Sequence, residues 1–197
     1  MDDKIILWGD KVSVRSMQLE DVEKMLHWSL HEDRLFYDYN FPYMDIDERE
    51  QWFELKTKGH KRCFSVFNTQ GEMVGYISFR NVNIFLKRSE LGIVFDPGQV
   101  SNGYGTDAIK TLLKWYFNDF KYKKMILTVA AYNDRAIKSY QKVGFKKYAQ
   151  YYGEFMNTKV DPLMEEEYIR IRKHFRKKRS RLDVLYYKMQ ISTLSTD

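Results

Sequence analysis

The chain has 197 residues, of which 44% are hydrophobic and 16% are aromatic, a composition that excludes an intrinsically disordered chain. Its 33 basic and 27 acidic residues give a formal net charge of +6, but the segment from Arg170 to Arg181 holds eight bases and no acids. Without that segment the balance is 25 bases to 27 acids, so the basic charge is local and does not indicate a general affinity for nucleic acid.

Membrane, disulfide and metal signals are missing from the sequence. It holds no run of about 18 apolar residues, and Met1–Lys4 do not open an export signal. The single Cys63 excludes an internal disulfide, and the histidines lack metal-ligand spacing: His27, His31, His60 and His174. We therefore expect a cytoplasmic protein that binds no metal and no membrane. Without repeats or low-complexity linkers, one domain over residues 1–197 is the simplest organisation.

The first half of the chain alternates between strand and helix patterns. Residues 11–17 predict a strand and residues 20–30 a helix, followed by an aromatic loop at 37–43. Asp45 or Asp47 is expected to cap a second helix. Two β-rich runs, 62–68 and 73–82, flank the turn residues Asn68–Gly71 and predict a hairpin, and residues 88–96 predict a further strand.

The second half continues with a predicted strand over 124–131 and a short helix over 134–143, with Asn133 as its N-cap and Gly144 after its end. Residues 146–155 and 182–191 are the last strand candidates. Between them Asp161-Pro162 can begin a helix, because Met164, Tyr168, Ile171 and Phe175 recur at helical spacing. The sequence therefore predicts a helical insertion at about 161–178.

Residues 89–106 have the pattern of a strand, a turn, a glycine-rich loop and a helix start. Gly103 and Gly105 tolerate a positive φ, so the loop can turn its N–H groups inward beside a helix N-terminus, an arrangement that binds phosphates. Two glycines ahead of a helix are also ordinary loop residues. On this motif alone both interpretations stand.

A second segment, Asn133–Phe145, favours the phosphate-binding interpretation of the loop. The two segments together resemble the GNAT superfamily of acyl-CoA N-acyltransferases, whose loop follows Gln/Arg-x-x-Gly-x-Gly/Ala and whose later helix carries Asn-x-x-Ala/Ser-x-x-x-Tyr-x-x-x-Gly-Phe. The second pattern matches at every position, and the order of elements is similar over residues 11–145. The chain looks most similar to the ribosomal-protein and polyamine acetyltransferases. The loop departs at Val100 and Ser101, where the family has Gln or Arg and often Gly.

The resemblance implies an α/β (α+β) fold with a mixed, mostly antiparallel sheet flanked by helices on both faces. It also implies transfer of acetyl from acetyl-CoA to a primary amine, either a protein N-terminal α-amine or a small polyamine, in a ternary complex without metal. The implied acetyl-CoA contacts lie on a strand, on the loop and at one helix start: Ile93, Val94, Phe95, Val100, Ser101, Asn102, Gly103, Tyr104, Gly105, Thr106 and Asn133. Each of the strand residues and Asn133 also has an ordinary structural interpretation, as buried strand or as helix cap.

Two residues take the catalytic positions that the resemblance implies. Tyr140 matches the general acid that protonates the departing thiolate, and a phenol near pKa 10 suits that task; a core tyrosine is the alternative. Glu90 matches a base that takes the proton of the amine, directly or through water; an edge-facing glutamate is the alternative. Cys63 is interpreted as a buried strand residue, with no covalent acetyl-enzyme step.

The sequence defines the binding site of the acceptor amine less well than the acetyl-CoA site. Acidic residues surround the aromatic stretch 36–43, where such enzymes bind the amine, but they suit helix-capping loops equally well: Asp33, Asp38, Asp45, Asp47 and Glu48. A ribosomal protein as partner and a homodimer both stay open. Two other functions remain as alternatives, a CoA-binding regulatory module without turnover and an RNA-binding protein that uses the basic segment 170–181, which can also be a solvated helix end.

Overall fold

A computed structural model of the chain describes residues 5–193, which fold into two compact units. Unit one comprises the described residues up to Leu30, then Phe41–Ile126, and the end of the described chain from Ser192. Unit two comprises His31–Asn40 and Leu127–Ile191. Met1–Lys4, considered above for an export signal, lie outside the described residues. Within the described part, no helix is long and apolar enough to cross a membrane.

Unit one is built on antiparallel strands that follow one another in the sequence. They are β1 (Ile6–Trp8), β2 (Val12–Ser16), β3 (Arg62–Asn68), β4 (Met73–Asn83) and β5 (Arg88–Phe95), each paired with the next. The predicted hairpin turn between β3 and β4 is confirmed: the Asn68 side chain accepts hydrogen bonds from the N–H groups of Gln70 and Glu72, and Gly71 has a φ of +80°.

The helices of unit one are α1 (Leu19–Met25), α2 (Ile46–Thr57) and α3 (Tyr104–Asn118). The predicted cap of α2 is confirmed at Asp45, which forms a reciprocal capping box with Glu48. The prediction that the first helix runs to residue 30 is wrong, because the chain leaves the helix after Met25. The next turn is tighter, with the N–H of Trp28 bonded to the carbonyl of Met25 at 3.2 Å, and the Trp28 indole N–H donates to the carbonyl of Met73 at 3.1 Å.

Unit two contains α4 (Asp134–Lys142), the strands β7 (Lys146–Glu154) and β8 (Phe175–Lys178), and all but the last residue of β9 (Arg181–Ser192). β9 is antiparallel to both other strands. β6 (Lys124–Ala130) contributes its first three residues to unit one and the rest to unit two. The strand order is β1-β2-β3-β4-β5-β6-β9-β7, with β8 beside β9. The predicted mixed, mostly antiparallel sheet is confirmed.

The predicted helix over 161–178 is wrong. Two single 3₁₀ turns, Glu166–Tyr168 and Arg172–His174, precede strand β8. Asp161 does begin a turn, since its carbonyl accepts from the N–H of Glu165 at 3.1 Å, but the helix does not continue. Phe175 instead pairs with Val184 on β9, and both side chains are buried in the core of unit two.

The basic segment is accordingly a 3₁₀ turn followed by strand β8 and the turn of the β8–β9 hairpin, and not a helix end. The arginines that flank its turn approach the buried carboxylate of Asp183, Arg176 at 3.4 Å and Arg181 at 2.8 Å. The Arg176 guanidinium also lies over the ring of Tyr152, 3.9 Å from its centroid. Part of the basic charge of this segment is therefore neutralised within unit two.

Candidate active site

One edge of β5 carries strand residues for which sequence similarity implies contacts to the pantetheine arm. On one side β5 pairs with β4 from Glu90 to Phe95 and, after an irregularity in the register, again at Arg88. On the other side, within the described residues, its parallel pairing with β6 covers only Arg88, Ser89 and Glu90. Residues 91–95 therefore keep main-chain N–H and C=O groups that do not pair with β6, and the half-buried Ile93, Val94 and Phe95 lie on this stretch.

The loop after β5 is held by side-chain hydrogen bonds at its beginning. The Asp96 carboxylate accepts from the N–H of Gly98 at 2.9 Å and from the N–H of Ser29 at 3.0 Å. Two left-handed residues follow, Ser101 with φ +70° and Gly103 with φ +85°. Left-handed residues turn successive N–H groups toward one side of the chain, which is the geometry of an anion-binding nest.

The start of α3 has unsatisfied donors. Gly103 is its N-cap and has no side chain to cap it, and the first hydrogen bond within the helix runs from the N–H of Asp107 to the carbonyl of Gly103 at 3.1 Å. The N–H groups of Tyr104, Gly105 and Thr106 therefore lack a helical acceptor. With the positive end of the helix dipole, they can bind a diphosphate, as the loop motif predicts.

Of the two loop glycines that tolerate a positive φ, Gly103 adopts one and Gly105 does not. Gly105 lies inside the first turn of α3, where the backbone is helical. A Cβ placed on it would lie 3.5 Å from the ring of Phe95, an ordinary contact distance. The approach of the helix start to β5 therefore does not depend on a glycine at position 105.

Sequence reasoning missed Lys11, which lies between β1 and β2. Its ammonium donates to the carbonyl of Asn102 in the loop at 3.1 Å. No sequence signal connects the two residues, because they are 91 positions apart and the contact depends on the packing of α3 against β2.

The Glu90 carboxylate is hydrogen-bonded at both oxygens. It accepts from the Arg80 guanidinium at 3.1 Å and from the Asn81 amide at 2.8 Å, both within unit one. A carboxylate in this setting is fixed in orientation, and a proton would reach it through water or after one of these bonds opens.

Unit two carries the other implied residues on and beside α4. Asn133 is the N-cap, and its side-chain oxygen accepts from the N–H of Ala136 at 3.1 Å, which confirms the structural role predicted for it. Tyr140 is buried on α4, with its ring 6.0 Å from that of Phe145. The turn between them contains Gly144 with a φ of +102°, so the Gly-Phe pair of the motif brings Phe145 back against the tyrosine.

A cavity of about 420 Å³ lies within unit two beside the segment His31–Asn40. Its lining combines acidic, aromatic, basic and aliphatic side chains: Glu32, Asp33, Glu167, Phe36, Tyr132, Tyr168, Arg34, Arg170, Leu35 and Ile171. The Tyr168 hydroxyl donates to Asp33 at 2.9 Å. Burial, together with the carboxylates of Glu167 and Asp33, raises the pKa of Tyr168, so its phenol stays protonated and acts as a donor.

Three of the five acidic residues that the sequence offered for the acceptor site have an assigned role. Asp33 lines this cavity, whereas Asp45 and Glu48 cap α2 and so have the structural role that the sequence left open. The cavity also contains residues that the sequence analysis did not predict: Glu32, Glu167, Tyr132 and Tyr168. Glu167 and Tyr168 were missed because residues 161–178 were predicted as a helix. Tyr132 was missed because it follows β6, far in sequence from residues 32–36.

Cys63 is unsuited to covalent catalysis. The thiol is buried in the core of unit one beside Met17 and Tyr76, and burial raises its pKa to about 12. A thiol with such a pKa is protonated at neutral pH and is a poor nucleophile. Among the described residues, no cluster of His, Cys, Asp and Glu could hold a metal ion.

Comparison with known proteins agrees with this geometry. An acetyltransferase (GNAT) domain profile matches residues 11–146. The spermidine N(1)-acetyltransferase of Vibrio cholerae is 22% identical over 148 residues, which cover 75% of this chain and 86% of that protein. An N-alpha-acetyltransferase of Sulfurisphaera tokodaii is 26% identical over 149 residues, which cover 71% of this chain and 83% of that protein.

Solved structures show the same fold. The spermidine N-acetyltransferase of Vibrio cholerae in complex with CoA and spermine superposes with a TM-score of 0.66 at 20% identity, covering 92% of this chain and 95% of that one. An acetyltransferase from Bacillus anthracis gives the same TM-score of 0.66 at 18% identity, covering 95% and 98%. The profile match spans most of the chain, and the chain belongs to the GNAT family of acetyl-CoA-dependent N-acetyltransferases.

Proposed function

We propose that this acetyltransferase transfers the acetyl group of acetyl-CoA to a primary amine of a polyamine. The amine nitrogen attacks the thioester carbonyl, so a C–N bond forms and the C–S bond breaks. The nitrogen loses a proton, and the departing thiolate gains one, which leaves an acetylated amine and CoA. The observation that carries the proposal is the uncapped start of α3 beside the β5 residues for which no pairing with β6 is described, an arrangement suited to a diphosphate and an extended arm.

The donor half of the proposal rests on main-chain groups. The N–H groups of residues 104–106 would hold the pyrophosphate, and those of residues 93–95 would pair with the pantetheine arm and polarise the thioester carbonyl. Because these contacts are made by the backbone, Val100 and Ser101 can replace the usual side chains without loss of the site. Asn133 would add a side-chain contact, since its amide N–H₂ is not part of the capping bond.

Tyr140 and Glu90 are the proposed proton donor and acceptor. A thiolate with a pKa of about 8.5 is basic enough to take the phenolic proton of Tyr140 late in the reaction. Glu90 would receive the amine proton by way of water, because Arg80 and Asn81 already bind its oxygens. Deprotonating a polyamine nitrogen of pKa about 10.4 at pH 7 costs about 4.6 kcal/mol, so we expect the rate to rise with pH well above neutrality.

The cavity of unit two is the proposed acceptor site. Its aromatic rings and carboxylates suit an aliphatic chain that carries ammonium groups. Arg34 is ion-paired with Glu165 and Glu167, and Asp33 accepts from Tyr168, so much of the charge is internally matched. Glu32 is exposed, and the described contacts assign no partner to its carboxylate, which makes it the proposed ligand of a substrate ammonium.

A thiol-release assay with acetyl-CoA tests both the acetyl-CoA part and the amine part of the proposal. The panel contains spermidine, lysine peptides, aminoglycosides and N-terminal peptides of ribosomal proteins, and we expect spermidine to give the highest kcat/KM. Higher activity on the peptides would replace the polyamine by a protein α-amine, and release with none of them would contradict the proposal. Glu32→Gln should raise KM for spermidine several-fold, whereas Glu50→Gln, on the exposed face of α2, should not.

A further inference from the structure

We propose that Lys11 is a further acetyl-CoA-binding residue, which supplies a positive charge to the pyrophosphate that the loop itself lacks. The inference rests on the proposed function. Residues 97–106 contain no lysine or arginine, and Val100 stands where the family pattern has Gln or Arg. An anion site built only from N–H groups and a helix dipole is weaker than one that also holds a cation.

The ammonium of Lys11 lies directly beside the proposed phosphate site. It donates to the carbonyl of Asn102 at 3.1 Å, and a Cβ placed on Gly103 would lie 3.3 Å from the same nitrogen. An ammonium has three donors, and the described contacts assign one of them. The described ion pairs include none to Lys11, so its charge is not matched by a carboxylate.

The backbone around Lys11 is anchored to α3 independently of the loop. The Asp107 carboxylate, in the first turn of α3, accepts from the N–H of Lys11 at 2.7 Å and from the N–H of Val12 at 3.1 Å. Gly9 permits this approach, since a Cβ there would lie 2.5 Å from Asp107 and from Thr111. The lysine is therefore held at the start of the helix whatever the loop binds.

The same anchoring explains why an acidic residue can lie so near an anion site. Asp107 would repel a diphosphate, but the oxygen that accepts both N–H groups is directed at the turn between β1 and β2. The Lys11 ammonium is the charged group that the described contacts place against the loop, at the carbonyl of Asn102. At the start of α3, the Asp107 carboxylate thus binds backbone N–H groups of the turn, and the Lys11 ammonium contacts the loop.

The test measures kcat and KM of Lys11→Met with two different acetyl donors. S-acetylpantetheine has the thioester and the arm but no pyrophosphate, so loss of the Lys11 charge should leave its kcat/KM unchanged. With acetyl-CoA, KM should rise about tenfold at unchanged kcat, and added NaCl should reduce the difference from wild type. Lys11→Arg should restore most of the affinity, because it keeps the charge.

A matched control is available in Lys61, which likewise donates from an exposed side chain to a backbone carbonyl, that of Leu55, at 2.8 Å. Lys61→Met should leave both donors unaffected. Equal losses with both donors in Lys11→Met would mean that the lysine only supports the loop, and unchanged KM would mean that it does not touch the cofactor; either result overturns the inference. Wild-type protein that fails to bind CoA in calorimetry would instead overturn the proposed function, and this inference with it.

Discussion

Replacing Gly103 by alanine tests whether the left-handed N-cap of α3 is needed for binding or only for folding. At a φ of +85°, an L-residue is about 1–2 kcal/mol less stable than in the right-handed region. The lower entropy of alanine in the unfolded chain offsets about 0.5–1 kcal/mol of this. The net loss of about 1 kcal/mol lowers Tm by about 2–4 °C in a chain of this size, so the variant should fold.

The expected effect on binding is larger than the effect on stability. If the backbone relaxes toward negative φ, the N–H groups ahead of Thr106 turn away from the phosphate. A hydrogen bond to a charged group contributes about 1.5–3 kcal/mol, so losing one weakens CoA binding by about 10- to 150-fold. Titration calorimetry with CoA measures this loss, and circular dichroism measures Tm on the same samples.

Gly71→Ala is the matched control. Gly71 has a φ of +80° in the turn between β3 and β4, and apart from its chain neighbours no residue has an atom within 4 Å of its hypothetical Cβ, whereas a Cβ on Gly103 would lie 3.3 Å from the Lys11 nitrogen. It should lose similar stability and bind CoA as the wild type does. If Gly103→Ala shows the same Tm shift and also unchanged CoA affinity, the loop is not where the pyrophosphate binds, and the assignment of residues 100–106 is refuted.

Three further predictions concern catalysis, loop strain and pH. Tyr140→Phe should lower kcat by about 10²-fold with little change in CoA affinity, whereas unchanged kcat in steady-state assays would remove it as the acid. Ser101→Gly should raise Tm by about 1–3 °C in thermal melts, because a glycine adopts the φ of +70° without strain; a lower Tm would argue against that strain. Burial, reinforced by Arg135, lowers the pKa of His31 below 6.5, so protonation favours the unfolded chain. Stability should therefore fall as the pH drops below about 6.5, less steeply in His31→Gln, and equal slopes for the two proteins in melts across that range would contradict this role.

Local signals in the sequence predicted the elements that position the donor site. The hairpin at Asn68–Gly71, the cap at Asp45 and the helix after Gly103 each depend on residues within four positions of one another, and each prediction is confirmed. The mostly antiparallel sheet was implied by family resemblance and is also confirmed. Short-range signals thus predicted the hairpin, the helix cap and the start of α3, but not the end of α1 or the structure of residues 161–178.

The errors arise where distant contacts override a local pattern. The spacing of Tyr168 and Phe175 fits a helix, yet pairing with Val184 makes the second of them a strand residue. The contact of Lys11 with Asn102 and the association of Glu32 with Glu167 join segments far apart in sequence. The catalytic roles of Tyr140 and Glu90, and the cofactor contacts implied by resemblance, stay predictions.

The short parallel pairing of β5 has a further consequence for the protein in the absence of its donor. β5 lies inside the sheet between β4 and β6, but the main-chain groups of a stretch that does not pair with its neighbour can hydrogen-bond an added strand, as those of a sheet edge do. Under the proposed function this stretch, residues 91–95, stays unpaired so that the arm of acetyl-CoA can bind there. A pantetheine arm lying there would complete the ladder, so saturation with CoA should slow self-association during storage or mild heating.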